Sequence, residues 1–129
     1  MSGAYARTKG HSFERYIAKC FRAFGFPNAQ RQLEYQINQA QGIDLSGTAE
    51  FKVQCKKTKK YVSLNTINEV NIDDRCVSIP VLIAAGDNQE PLVTIPLDAF
   101  FYLVEGREFI TLKDVQNKLR AVKGQDAKA

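Results

Sequence analysis

The feature that most limits what this chain can fold into is the run Val77-Ser78-Ile79-Pro80-Val81-Leu82-Ile83-Ala84-Ala85. It is rich in β-branched residues and bounded by Gly86-Asp87-Asn88, so it reads as a buried strand. Pro80 within it points to a bulge or a sheet edge. At 129 residues, 44% hydrophobic and 25% charged, the chain has the size of one domain, residues 1–129, around one core. The apolar stretch from Cys76 to Ala85 is too short to span a bilayer, and the first residues hold no apolar run of the secretory kind. No membrane association and a cytoplasmic location are therefore expected.

Around that strand the pattern supplies other elements. Ser12 can cap a helix whose Phe13, Ile17, Cys20, Phe21 and Phe24 recur at three- and four-residue spacing, and Gly25 with Pro27 stops it. Residues 1–9 read as a flexible basic arm, and 124–129 as a flexible tail. Gln30 to Asn38 alternates about Leu33, Tyr35 and Ile37 as a half-exposed strand, Gly42 marks a turn, and short strands follow at Ile43–Leu45 and Glu50–Lys57. A helix over about 64–74 would carry Leu64, Ile67 and Val70. Pro91–Pro96 offers a strand, Leu97–Val104 a short apolar helix, and Thr111–Val122 a final helix capped by Thr111 with Leu112, Val115 and Leu119 inward. The expected class is mixed α/β, a central mixed sheet flanked by helices.

Charge is unevenly spread. Residues 1–60 hold eleven Lys and Arg against four acids, net +7, whereas residues 61–129 hold seven against ten, net −3. The basic half is where a polyanion should bind. Lys52 to Lys60 carries five lysines and no acid, either a solvated loop or a set of phosphate contacts. The three cysteines, Cys20, Cys55 and Cys76, show no CxxC pairing and read as buried, reduced thiols. His11 is the only histidine, which argues against a three-histidine metal site; it reads as a residue flanking the start of the first helix.

The residues fitted for chemistry are Asp44 in Gly42-Ile43-Asp44-Leu45 and, ten and twelve positions on, Gln54 and Lys56. Side chains alternate along a strand, so Lys52, Gln54 and Lys56 share one face and Val53 and Cys55 the other. An acid, a carboxamide and an ammonium brought together suit phosphodiester hydrolysis, in which oxygen ligands hold a hard divalent cation and a lysine orients water or neutralises phosphate charge. Asp44 would be the main ligand, joined by Gln54 and the carbonyl of Cys55. Glu14, beside Phe13 and Ile17, is either a further carboxylate of this group or an acid favoured by the helix N-terminus. Arg7, Lys9 and Arg15 join Lys52, Lys57, Lys59 and Lys60 as candidate phosphate contacts.

The series Lys9-Gly10-His11-Ser12-Phe13-Glu14-Arg15, Gly42-Ile43-Asp44 and Val53-Gln54-Cys55-Lys56-Lys57 resembles the ordered motifs of PD-(D/E)XK nucleases. Its opening is similar to archaeal Holliday-junction resolvases, and its glutamine to Mrr-type endonucleases. The resemblance implies a restriction-endonuclease-like core of helix, three strands, helix and strand. It also implies catalytic roles for Glu14, Asp44, Gln54 and Lys56, and Mg2+ or Mn2+ held by Glu14, Asp44, Gln54 and Cys55. The implied activity is cleavage of DNA, above all branched (Holliday-junction) DNA, by a homodimer. The departure is Gln54, a neutral amide where an acid is usual, which weakens cation binding. It keeps two alternatives in view, a non-catalytic nucleic-acid-binding module on the same fold and a duplex-specific Mrr-like endonuclease. A third alternative is a structural or partner-binding protein using the apolar segment 95–104.

Overall fold

The computed structural model describes residues 3–32, 42–57, 78–106 and 111–128, with the side chains of 9–32, 42–57, 78–106 and 111–125. It is mixed α/β: α1 (Gly3–Ala23), β1 (Gln30–Arg31), β2 (Leu45–Ser46), β3 (Phe51–Lys57), β4 (Ile79–Ala85), β5 (Leu92–Thr94), α2 (Leu97–Glu105) and α3 (Leu112–Lys128). The expected helix at 64–74, most of the strand expected at 30–38, and Lys59, Lys60 and Cys76 lie outside the described residues. None of the described helices is long and apolar enough to cross a membrane.

The β-branched run forms the middle of a three-stranded sheet ordered β3-β4-β5. β3 and β4 are parallel, from Phe51 opposite Ile79 to Lys57 opposite Ala85, and β5 pairs antiparallel from Leu82 to Ala84. The Ile79 N–H donates to the Glu50 carbonyl at 2.7 Å, so the odd-numbered residues of β4 bond to β3. Pro80 therefore turns its missing donor to the other side, which β5 reaches only from Leu82. A proline in a central strand is tolerated because that stretch is locally an edge.

Helix α1 lies over this sheet. Phe13, Ile17 and Ala18, one stripe of the helix, are buried against Val53 and Cys55 of β3, Val81, Ile83 and Ala85 of β4, and Leu45 of β2. Val53 and Leu82 are almost wholly enclosed, and burying such a side chain stabilises the fold by roughly 1.5–3 kcal/mol. Helix α1 begins at Gly3, so Ser12, expected as its cap, and His11 lie inside it, together with residues 3–9, expected as an arm. A serine preceding an apolar run mimics a cap, but nothing in residues 4–11 breaks a helix apart from Gly10, which costs only about 1 kcal/mol in a helix interior. The helix ends where expected, with Gly25 at φ 101°.

At the other end of the chain, the Thr111 hydroxyl accepts from the Asp114 N–H at 3.1 Å and Asp114 accepts from the Thr111 N–H at 3.2 Å, a reciprocal cap. Helix α3 then runs on through residues expected to be a tail. It meets the core at buried Val122, while Leu112 is 73% exposed, not inward. Its contact with α1 lies past its first turns, where Lys118 sits over the Phe24 ring at 4.6 Å. Of α2 only Ala99 is buried; Leu97, Phe100, Phe101, Tyr102 and Leu103 face outward.

Among the described residues the strands of this mixed α/β fold form two ladders. β1 and β2 pair antiparallel, Gln30 with Ser46 and Arg31 with Leu45. The two ladders meet at Asp44, whose N–H donates to Val53 O at 2.8 Å while its C=O accepts from Gln32 N at 2.7 Å. One residue thus faces both ladders, and the turn beyond it is tight. Gly47 has φ 75°, and a β-carbon there would meet the Asn28 carbonyl oxygen at 2.2 Å. Gly47→Ala should destabilise the protein by at least about 2 kcal/mol, read as a lowered midpoint in chemical denaturation; an unchanged midpoint would mean that the turn has another conformation open to it.

Candidate active site

The geometry of the site follows from the parity of β3. Its even-numbered residues bond to β4, so the backbone groups of Val53 and Cys55 point to the opposite edge, toward Asp44. There Val53 O accepts from Asp44 N, and Asp44 Oδ2 accepts from Cys55 N at 2.8 Å. The carboxylate takes the place that a carbonyl would fill in a continued ladder. The Cys55 carbonyl points to that same edge, which puts two oxygen donors side by side.

Burial pushes the Asp44 carboxyl from 3.8 up to about 6, the Cys55 N–H opposes this, and the charge of Glu14 adds to it while those of Lys56 and Arg31 pull it back. Glu14, Asp44, Lys56 and Arg31 are therefore one electrostatic group. Burial, with Asp44 and Glu14, also pushes the Cys55 thiol well above its ordinary value; it is a neutral thiol and no nucleophile. Cys20 is half-buried, and both it and Cys55 are free of disulfides.

The expected faces are respected, with a consequence the sequence did not suggest. Val53 and Cys55 face α1, so Glu14 approaches from the helix side and Gln54 and Lys56 belong to the other side. Asp44, at the edge, is reached from both. Gln54 is buried, and its Oε1 atom accepts no hydrogen bond among the described residues, although the residue has a polar or electrostatic partner. Glu14 Oε2 accepts from Arg31 Nε at 2.7 Å. Arg31 went unnoticed in the sequence. A hairpin reading of 30–45 would have found it, since Arg31 pairs with Leu45, the residue after Asp44.

The basic residues divide. Lys9 forms an ion pair with Asp87 at 2.5 Å. Lys57 donates to the Gly86 carbonyl at 3.2 Å and sits 5.7 Å from the centre of the Phe13 ring. Both hold the turn after β4 against α1. Arg15 is exposed, and Lys52 donates to the Ala49 carbonyl at 3.3 Å in an exposed setting. The side chain of Arg7 is outside the described residues.

Among the described residues, no three His, Cys, Asp and Glu side chains are grouped to hold a metal ion. The Asp44 carboxylate with the neighbouring Cys55 carbonyl, joined from the helix side by Glu14, nevertheless offers the oxygen donors that suit a hard cation such as Mg2+, which takes one or two carboxylates and keeps water or phosphate oxygens for the rest. The mutual repulsion of Glu14 and Asp44 is what such an ion relieves.

A family model described as restriction endonuclease, of the Mrr catalytic type, matches residues 5–73, more than half of the chain. The matched segment contains Glu14, Arg31, Asp44, Gln54 and Lys56. Comparison with curated proteins and with solved structures gives no match.

The raised value of Asp44 has a definite sign. Between 3.8 and about 6 the folded protein retains a proton that the unfolded chain has lost, so this group's contribution to stability falls as pH rises through that window and is level outside it. Asp44→Asn removes the titration. In chelator, the melting temperature of the variant should rise relative to the wild type between those two pH values, followed by circular dichroism; a constant difference would show that Asp44 is not held in a desolvated site.

Proposed function

The chain belongs to the restriction endonuclease family, a family of nucleases, and from that premise we propose that it is a divalent-cation-dependent endonuclease hydrolysing DNA phosphodiester bonds, with branched DNA its preferred substrate. The observation that carries this reading is the Asp44 carboxylate, desolvated and anchored on the Cys55 N–H, sharing its surroundings with a second acid and a lysine.

In this reading Asp44 is the principal cation ligand, with Glu14, Gln54 and the Cys55 carbonyl as its companions and Mg2+ or Mn2+ as the ion. When bound, the ion supplies Lewis acidity at the phosphate and an acidified water. Lys56 orients the attacking water and neutralises charge that develops on the phosphate oxygens. The Cys55 N–H fixes one Asp44 oxygen, so the carboxylate does not have to be ordered during the reaction. Arg15 and Lys52 supply phosphate contacts, together with Arg7, Lys59 and Lys60. The preference for branched DNA draws on the Lys9-to-Glu14 opening, and the outward apolar side chains of α2 favour a homodimer, which would set two such sites at a fixed spacing. Duplex cleavage of the Mrr kind is the nearest alternative. Gln54, neutral where an acid is usual, favours the third possibility of DNA binding without cleavage.

Asp44→Asn and Lys56→Ala should each lower cleavage by about two orders of magnitude or more while DNA affinity stays near that of the wild type. Chelator should abolish cleavage. Incubating labelled four-way junction and matched linear duplex with each metal separates the substrates, since symmetric incision of the junction alone is expected. Full cleavage by purified Asp44→Asn would reject the assignment, and binding without any cutting would leave the non-catalytic module.

A further inference from the structure

We propose that Arg31 sets how tightly the site holds a divalent cation by competing with it for the Glu14 carboxylate; this rests on the reading of Glu14 and Asp44 as cation ligands. Arg31 Nε donates to Glu14 Oε2 at 2.7 Å, and the two side chains are only 21% and 16% exposed. β1 carries Arg31 to this place, opposite Leu45 and so beside Asp44, and its charge reaches the Asp44 carboxylate as well. The guanidinium is thus the direct counter-ion of Glu14 and a weaker, through-space one of Asp44.

A partly buried pair of this kind is screened much less by salt than a surface pair, and an arginine stays charged at any pH the protein meets. The competition is therefore permanent. A carboxylate oxygen already accepting a guanidinium N–H offers less charge to a cation, and the guanidinium repels the cation directly. Gln54 adds no charge of its own to offset this. A site so neutralised holds a hard ion weakly until further anionic oxygens arrive, and phosphate supplies them. Arg31, acting through Glu14, thereby makes cation loading depend on DNA.

The test is calorimetric titration of Mn2+ into the full chain without DNA, for the wild type, Arg31→Gln and Arg31→Lys, with circular dichroism to verify folding. Arg31→Gln should bind Mn2+ roughly tenfold more tightly than the wild type, and Arg31→Lys, which keeps the charge, should stay close to it. A residue serving only to support the fold would not tighten binding when removed. If Arg31→Gln is unfolded, Arg31→Met, which keeps an apolar stem, carries the same expectation. Unchanged or weaker binding by a folded neutral variant, or equal tightening in Arg31→Lys, overturns the proposal while leaving the cation site intact. Absence of Mn2+ binding to the wild type and every variant removes the cation site and the proposal together.

Discussion

The hydrogen bond from the Cys55 N–H to Asp44 Oδ2, 2.8 Å long, is the constraint around which both fold and site are arranged. It ends the pairing between the β1-β2 ladder and β3, and it pins a carboxylate at a strand edge next to a backbone carbonyl. Desolvation opposes the charge on Asp44, and the Cys55 N–H, Lys56 and Arg31 oppose desolvation. The balance leaves a carboxyl poised well above its ordinary range, a perturbation that functional sites commonly show. The core of α1, β3 and β4 behind it supplies the rigidity that holds this balance.

That core was legible in the sequence because its signals are local. The β-branched run gives β4, the segment ending in Lys57 gives β3 to within a residue, and Phe13 and Ile17 belong to the helical stripe that covers them. Boundaries read from single residues fared worse. Ser12 has the chemistry of a cap and the position of a helix interior, and Leu112 has the hydrophobicity of a core residue on a turn that extends beyond the core. In both cases tertiary placement, which local pattern does not encode, decides the outcome.

The site divides along the same line. What was legible of the candidate site is its arrangement: the shared strand face of Gln54 and Lys56 follows from alternation, and the place of Glu14 on α1 from the apolar residues beside it. Arg31 was not legible, because its importance comes from a pairing between β1 and β2 across an intervening segment. Lys9 and Lys57 illustrate the reverse error of emphasis. As charges in a sequence they suggest phosphate contacts, yet each is engaged with the turn after β4, so a count of basic residues overstates the surface free to meet a polyanion.

The two edges of the three-stranded sheet are protected in different ways. On the β3 side, the Asp44 carboxylate occupies the very donor that an incoming strand would need, and a charged, desolvated group there repels the backbone carbonyls of any other chain. The same carboxylate thus guards this edge against intermolecular strand addition, the hazard that open sheet edges carry. Among the described residues the far side, β5, has exposed Leu92 and Val93 and no such acid in its three residues, so it lacks this protection.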